Sequence, residues 1–355
     1  MKLRLPVLIS MMVAGWGVGG AEHETGKIVD ITWRLGPNCP EFRKGGCLTV
    51  KQGRLISAFG MRQPWGEMNT VYGYDPDLDD WFKGPDTPIG QTYVHGTECG
   101  RFFYSIGGRS GKHGGAHQLC FRFDIDGDRW SWDPIPPLQD RRAWAASATI
   151  GPRLYVFGGA LGGHGPSLGG VEMLDTSDAA ATWRKITAIP GYSRGWAAAA
   201  SANGRLYLIG GLHYFKKDSV QKRIAEVLEF NPEQATWRSR TPLPIRLSGI
   251  DSCVYNDRYV IVVGGCPVWE DYTPEMNRER SRDRFHKSYY NPFVYVYDVQ
   301  KDIWSRMPSV LPTATNDIRV ALDGKTLYAL GGENVEPATS NTTPWLRIGT
   351  IQLSD

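Results

Sequence analysis

The sequence predicts an all-β fold, a six-bladed β-propeller closed by its own N-terminal strand. Three observations carry that expectation. A short apolar run ending in glycine recurs six times, five of them in a glycine pair, a tryptophan follows most copies at a set distance, and the last copy lacks a strand that the N-terminus supplies. The runs are Leu55–Gly60, Phe103–Gly108, Leu154–Gly159 and Leu206–Gly211, with two more ending at Gly264-Gly265 and Gly331-Gly332. Counted from Phe59, the first doublet positions lie 48, 51, 52, 54 and 67 residues apart.

Ahead of each doublet, by six or seven residues, stands a turn residue: Gly53, Gly100, Gly151, Gly204, Asp257 or Gly324. Glycine or aspartate there suits a tight hairpin that needs unusual backbone angles. A third strand follows, as in Val71–Asp75 and Val294–Asp298, then a tryptophan at 81, 130, 183, 237 or 304, usually with proline behind it. A four-stranded unit has two apolar faces that it cannot bury alone, so units must stack. The tryptophans are expected between blades, and the glycines let backbones come close near the axis. Copy six ends after Trp345–Leu353, while Ile28–Trp33 and Pro37 carry the missing pattern. Pairing the two ends removes the open edges of a linear array. The expectation is one domain over 22–355, with an insertion at 266–293 in blade five.

Composition agrees with many short strands joined by turns: 42 Gly, 16 Tyr and 13 Trp in 355 residues. Residues 1–21 read as a secretory signal, with Lys2 and Arg4 before the apolar run Leu5–Val18 and small residues Gly19-Gly20-Ala21 at its end. A periplasmic or secreted location follows as an expectation, with no membrane span after cleavage. Without Lys2 and Arg4, 38 of the 40 basic residues remain against 37 acidic ones, a balance that gives no reason to expect a nucleic-acid partner. Six cysteines (39, 47, 99, 120, 253, 266) in an exported chain permit disulfides, while those inside strands also suit buried thiols.

Ligands of such a ring bind where loops converge at a channel mouth. Arg43, Arg142 and Arg194 each stand sixteen residues before their doublet; Arg246 is close to that register. His95 occupies the corresponding region of blade two, Asn316 and Asp317 that of blade six, and Trp144 and Trp196 lie two residues beyond two arginines. Guanidinium forks beside aromatic faces suit an acidic sugar. The same arginines also suit neighbouring carbonyls and acids, and both readings stand. Loops after the doublets carry Arg62, Trp65, His113, His117, His164, His213, Lys216, Lys217, Glu333 and Glu336. The loop histidines suit solvated positions, so neither a metal nor a cofactor is expected. The blade-five insertion is too polar for core and longer than a connection needs, which predicts a lid or short helix over the mouth.

With these repeats the chain resembles the kelch superfamily. Its layout is similar to that of the bacterial N-acetylneuraminate mutarotase (epimerase) group. The matching features are the insertion ending His286-Lys287-Ser288-Tyr289 and the triplet Gly331-Gly332-Glu333. The resemblance implies sugar handling, with a general-base glutamate directly after the blade-four glycines. This sequence has Leu212 there, followed by His213. Mutarotation needs one group to take the anomeric proton and another to protonate the ring oxygen. Those roles fall to His213, Glu333, Glu98 or His95. Two functions follow: a propeller handling a sugar or glycan as a mutarotase, or a non-catalytic glycan- or protein-binding propeller.

Overall fold

A computed structural model describes residues 26–62, 66–111, 115–162, 166–215, 221–282, 290–336 and 339–354. They form six four-stranded antiparallel sheets set around one axis. The innermost strands are Cys47–Lys51, His95–Cys99, Ala146–Ile150, Ala198–Ala202, Asp251–Tyr255 and Arg319–Asp323. Neighbours in this order pack side by side, and the sixth packs against the first. Blade six runs Arg319–Asp323, Thr326–Leu330, Leu346–Leu353 and then Ile28–Leu35, so the N-terminal strand closes the ring. The side chain of Asp30 fastens that strand to blade five by accepting from Ser309 N (2.9 Å) and Oγ (2.6 Å).

Six apolar cores lie between the blades, and each takes a fourth-strand tryptophan. Trp81, Trp183, Trp237, Trp304 and Trp33 fill the interfaces of blades six and one, two and three, three and four, four and five, and five and six. Between blades one and two the residue is Trp132, buried among Phe59, Phe103 and Phe123. Trp130, expected between blades from the sequence, packs against the same core on Phe82 and Phe123. The true register sets Trp132 opposite Phe123, as Trp81 sits opposite Tyr74 and Trp304 opposite Tyr297.

The glycine doublets join blade to blade. In every copy the second glycine's N–H donates to a carbonyl of the next blade, from Gly60 to Gln91 (2.8 Å) round to Gly332 and Arg43 (2.8 Å). Gly158 lies at φ +58°, and a Cβ there would stand 2.1 Å from the Arg194 carbonyl oxygen. Gly158→Ala therefore combines left-handed backbone, about 1–2 kcal/mol, with a clash against main chain that no rotamer relieves. A fall of at least that size in unfolding free energy, at unchanged m-value, is expected in urea titration.

The insertion forms the helix Pro274–Arg282. Met276 and Tyr272 bury against the core between blades four and five, and Glu279 pairs with Arg306 of the outermost blade-five strand. This part of the insertion lies on the flank of blade five and does not cover the mouth. Positions 283–289, with His286 and Tyr289, fall outside the described residues. All six cysteines are free thiols. Burial pushes the Cys47 and Cys120 thiols up to about 12. Among the described residues no helix is long and apolar enough to cross a membrane, and no group of three His, Cys, Asp or Glu could hold a metal ion.

Candidate functional site

The chain enters each inner strand through three residues that repeat around the mouth. The first of the three is Arg43, Gln91, Arg142, Arg194, Leu247 or Thr315. Arg43, Arg142 and Arg194 turn away from the axis into their own blades, at 3%, 0% and 1% exposure. Nη1 of Arg142 donates to the carbonyls of Gly158 (2.8 Å) and Gly170 (3.0 Å), and Nη2 pairs with the fully buried Glu172. Arg43 bonds Phe59 and Thr70 in the same way, and Arg194 bonds Gly210 and Glu226. Blade six solves the same problem from another strand: Arg347, fully buried, bonds Thr313 and Gly331, and burial pulls its pKa down to about 9. Guanidinium groups held this way cannot fork onto a ligand. The arginine ring is a set of blade anchors, which corrects the substrate-binding reading of Arg43, Arg142 and Arg194.

Arg246 is one residue out of this register, and a one-residue shift turns an extended side chain to the opposite side. It faces solvent and makes a fork with Asp271 of the insertion, with bonds of 2.8 Å from Nε and 2.6 Å from Nη2. Its role is to tie the insertion to blade five.

The third of the repeating residues forms the mouth itself: Gly45, Tyr93, Trp144, Trp196, Gly249 and Asp317. All six have positive φ, between +51° and +67°. Main-chain bonds run around them, from Trp144 N to Tyr93 O (2.9 Å), Trp196 N to Trp144 O (2.9 Å), Gly249 N to Trp196 O (2.7 Å) and Asp317 N to Gly249 O (2.9 Å). Left-handed backbone at bulky side chains costs of order 1–3 kcal/mol each and is concentrated at functional sites. Here it lays three aromatic rings side by side. Trp144 stacks on Tyr93 at 4.4 Å and on Trp196 at 4.7 Å between centroids. Trp196, half-buried, ends the stack and has Tyr214 as its further ring neighbour at 5.7 Å.

Blades six, one and two supply charge beside these rings. The residues that follow the glycine doublets hold equivalent places: Met61, Arg109, Ala160, Leu212, Cys266 and Glu333, each bridged to its own blade's entry segment. Among these, Arg109 and Glu333 carry charge. Glu333 pairs with Lys44 and accepts from Tyr290 Oη (2.9 Å) and Asn316 Nδ2 (3.2 Å). Lys44 also faces Asp317 at 3.7 Å and lies 5.6 Å from the Tyr93 ring centre. Lys44, Asp317 and Glu333 are all buried.

One buried cation thus serves two buried carboxylates. Burial would raise the Glu333 carboxyl, but Lys44 and the bonds from Asn316 and Tyr290 hold it below the usual carboxylate range. Asp317 goes the other way: burial and then the negative Glu333 outweigh Lys44 and raise it. The arrangement holds one carboxylate ionised and favours a proton on the other, which is how paired carboxyls divide acid and base work. The main chain of Arg109 is bridged to Thr92, while its half-buried side chain has no hydrogen-bond partner among the described residues.

The four predicted catalytic residues do not meet. Glu333 belongs to the mouth. His95 lies inside the first turn of the channel, in an inner strand, and Glu98 is exposed toward the far end, accepting from Thr49 Oγ1 (2.5 Å). His213 sits outside the stack on blade four, where Nδ1 contacts the Ser193 carbonyl (2.6 Å) and the ring packs on Tyr192 and Phe215. Lys44, Tyr93, Arg109 and Tyr290 escaped the sequence reading. Aligning the three entry residues across all six copies would have exposed the first two.

Fold and mouth together define a kelch propeller. The chain belongs to the family described as the KLHDC2/KLHL20/DRC7 Kelch-repeats domain, which matches residues 93–332. It is similar to Kelch-like protein 36 of Bos taurus, 23% identical over 63% of this chain and 37% of that one. It is also similar to Kelch-like protein 15 of Homo sapiens, 25% identical over 66% of this chain and 40% of that one. N-acetylneuraminate epimerase of Yersinia enterocolitica is 25% identical over 64% of this chain and 60% of its own length. The chain therefore spans less than two thirds of these relatives.

Proposed function

We propose that this protein is an exported propeller whose mouth handles a carbohydrate, and that it interconverts the anomers of an acidic sugar. The observation that carries the reading is the two-sided mouth: three aromatic rings held in left-handed backbone on one side, a carboxylate pair sharing one lysine on the other. A pyranose offers C–H groups to rings on one face and hydroxyls at its edges, and it meets both halves. Glu333 takes the anomeric hydroxyl proton while Asp317 gives a proton to the ring oxygen. The bond between anomeric carbon and ring oxygen breaks, and the open-chain carbonyl recloses on either face. Arg109 offers a fork to the sugar's carboxylate. Similarity to N-acetylneuraminate epimerases supports this substrate class. Export rests on the amino-terminal pattern at 1–21, outside the described residues.

Leu212, standing where the resemblance places a general base, favours a second reading in which the mouth binds a glycan without chemistry. Binding alone is read by saturation-transfer NMR with the methyl glycoside of N-acetylneuraminate, which cannot open. Transfer to the sugar ring protons is expected, and Trp196→Ala should weaken it about tenfold, as loss of one aromatic contact of about 1.4 kcal/mol requires. No transfer from the wild-type protein at millimolar sugar would remove both readings for this ligand.

A further inference from the structure

The channel is stoppered just inside the mouth. His95 in blade two and Asp251 in blade five stand three blades apart, diametrically opposite, yet His95 Nε2 and Asp251 Oδ1 are 3.7 Å apart. Beyond them lies a cavity of about 300 Å³ lined by all six inner strands. Its walls run from His95, Asp251 and Arg319 down past Glu98, Thr149, Ser201 and Leu322, so it opens on the face away from the mouth. This is a second compartment, separate from the sugar site.

At its inner end stand a serine, a histidine and an aspartate in contact. Ser147 Oγ is 2.7 Å from His95 Nδ1, and the Ser147 backbone N–H points at the same nitrogen at 3.2 Å. A backbone N–H can only donate, so Nδ1 carries the lone pair and the ring proton sits on Nε2, toward Asp251. The Ser147 hydroxyl then has to donate to Nδ1, which is the arrangement of a nucleophile with its base. Asp251 is fixed in turn by N–H groups of Ser252 (2.9 Å) and Val320 (2.9 Å). Burial alone would raise its carboxyl, but the neighbouring His95 and the Arg319 charge hold it below the usual range. Arg319 in blade six donates to the carbonyls of Gly46 (2.7 Å) and Val94 (3.4 Å) in blades one and two, and it puts positive charge on the wall of the same cavity. Nucleophile, base, orienting carboxylate and a bordering space are the parts that covalent acyl transfer needs.

We propose that Ser147, activated by His95 and Asp251, is the nucleophile of a second site that cleaves small carboxylic esters entering from the far face. Ser147 Oγ attacks the ester carbonyl carbon as its proton passes to His95 Nδ1. The carbon–oxygen bond to the alcohol breaks, and the leaving alkoxide takes that proton from His95. Water then attacks the acyl-serine, giving its proton to the same nitrogen; the bond between the acyl carbon and Ser147 Oγ breaks, His95 returns that proton to Oγ, and the carboxylic acid leaves. Asp251 faces the imidazolium formed in each step.

The test uses the whole folded chain and a small alkyl fluorophosphonate, which phosphonylates activated serines with loss of fluoride. Peptide mass mapping should place one adduct on Ser147. His95→Gln should slow labelling by about a hundredfold, the usual worth of a general base. Ser201→Ala, also on the cavity wall, should label as the wild type does. His95 is buried, and its variant needs an unchanged circular dichroism spectrum to count. The wild-type map decides independently of it: no adduct on Ser147 overturns the proposal, as does labelling at an equal rate in folded His95→Gln.

Discussion

Replacing Arg142 with methionine is expected to cost the folded state about 3–5 kcal/mol, the usual penalty for stranding one member of a buried ion pair. Both Arg142 and Glu172 have fully buried side chains. Arg142 also donates to the carbonyls of Gly158 and Gly170, so its loss takes a donor from each as well as the cation from the carboxylate. Glu172 retains the N–H groups of Gln139 (2.7 Å) and Asp140 (3.1 Å), which keeps the cost from growing further. Urea unfolding at pH 7 measures this as a lower midpoint at constant m-value. Sugar binding per folded molecule should not change, because Arg142 does not reach the mouth. An Arg142 variant that folds normally but loses sugar binding would return this arginine to the ligand site.

Lys44→Met should be comparably costly, with a different pH signature. Near neutral pH it leaves Asp317 and Glu333 buried without their cation, again about 3–5 kcal/mol. Both carboxyls then titrate above their unfolded values, so the folded state binds more protons than the unfolded one in the window above about pH 4. Stability in that window rises as pH falls, because protonation removes the uncompensated charge. The deficit relative to wild type is therefore expected to shrink between pH 7 and pH 5. Parallel urea midpoints measured across that range check the sign; a deficit that widens on acidification would mean the two carboxylates are not coupled through Lys44.

Most of the architecture was legible because the propeller repeats its physics. Turn residues such as Gly53 and Gly324, the glycine doublets and the fourth-strand tryptophans each answer a local demand that recurs in every blade. The closing strand could be found for the same reason, as a missing member of the pattern. In blade two the spacing finds Trp130, which does pack between blades, but misses Trp132, which the register sets opposite Phe123. The arginines showed a further limit: spacing finds an equivalent position but does not say whether a side chain faces the axis or its own blade.

The candidate site was harder because its contacts are not local. Lys44 and Glu333 are 289 residues apart and meet only because the ring closes. His95 and Asp251 meet because opposite blades approach the axis, a relation that no local spacing encodes. Of the predicted catalytic residues, Glu333 alone is joined to a second carboxylate through a shared cation.

An NMR time course on freshly dissolved α-N-acetylneuraminate tests the central claim most directly, comparing buffer, wild-type protein and Glu333→Gln. Anomer equilibration well above the buffer rate is expected with wild type, with a fall of about 10²–10⁴-fold in Glu333→Gln as the base is lost. Equilibration at the buffer rate with folded wild-type protein, or an undiminished rate in Glu333→Gln, would contradict the claim.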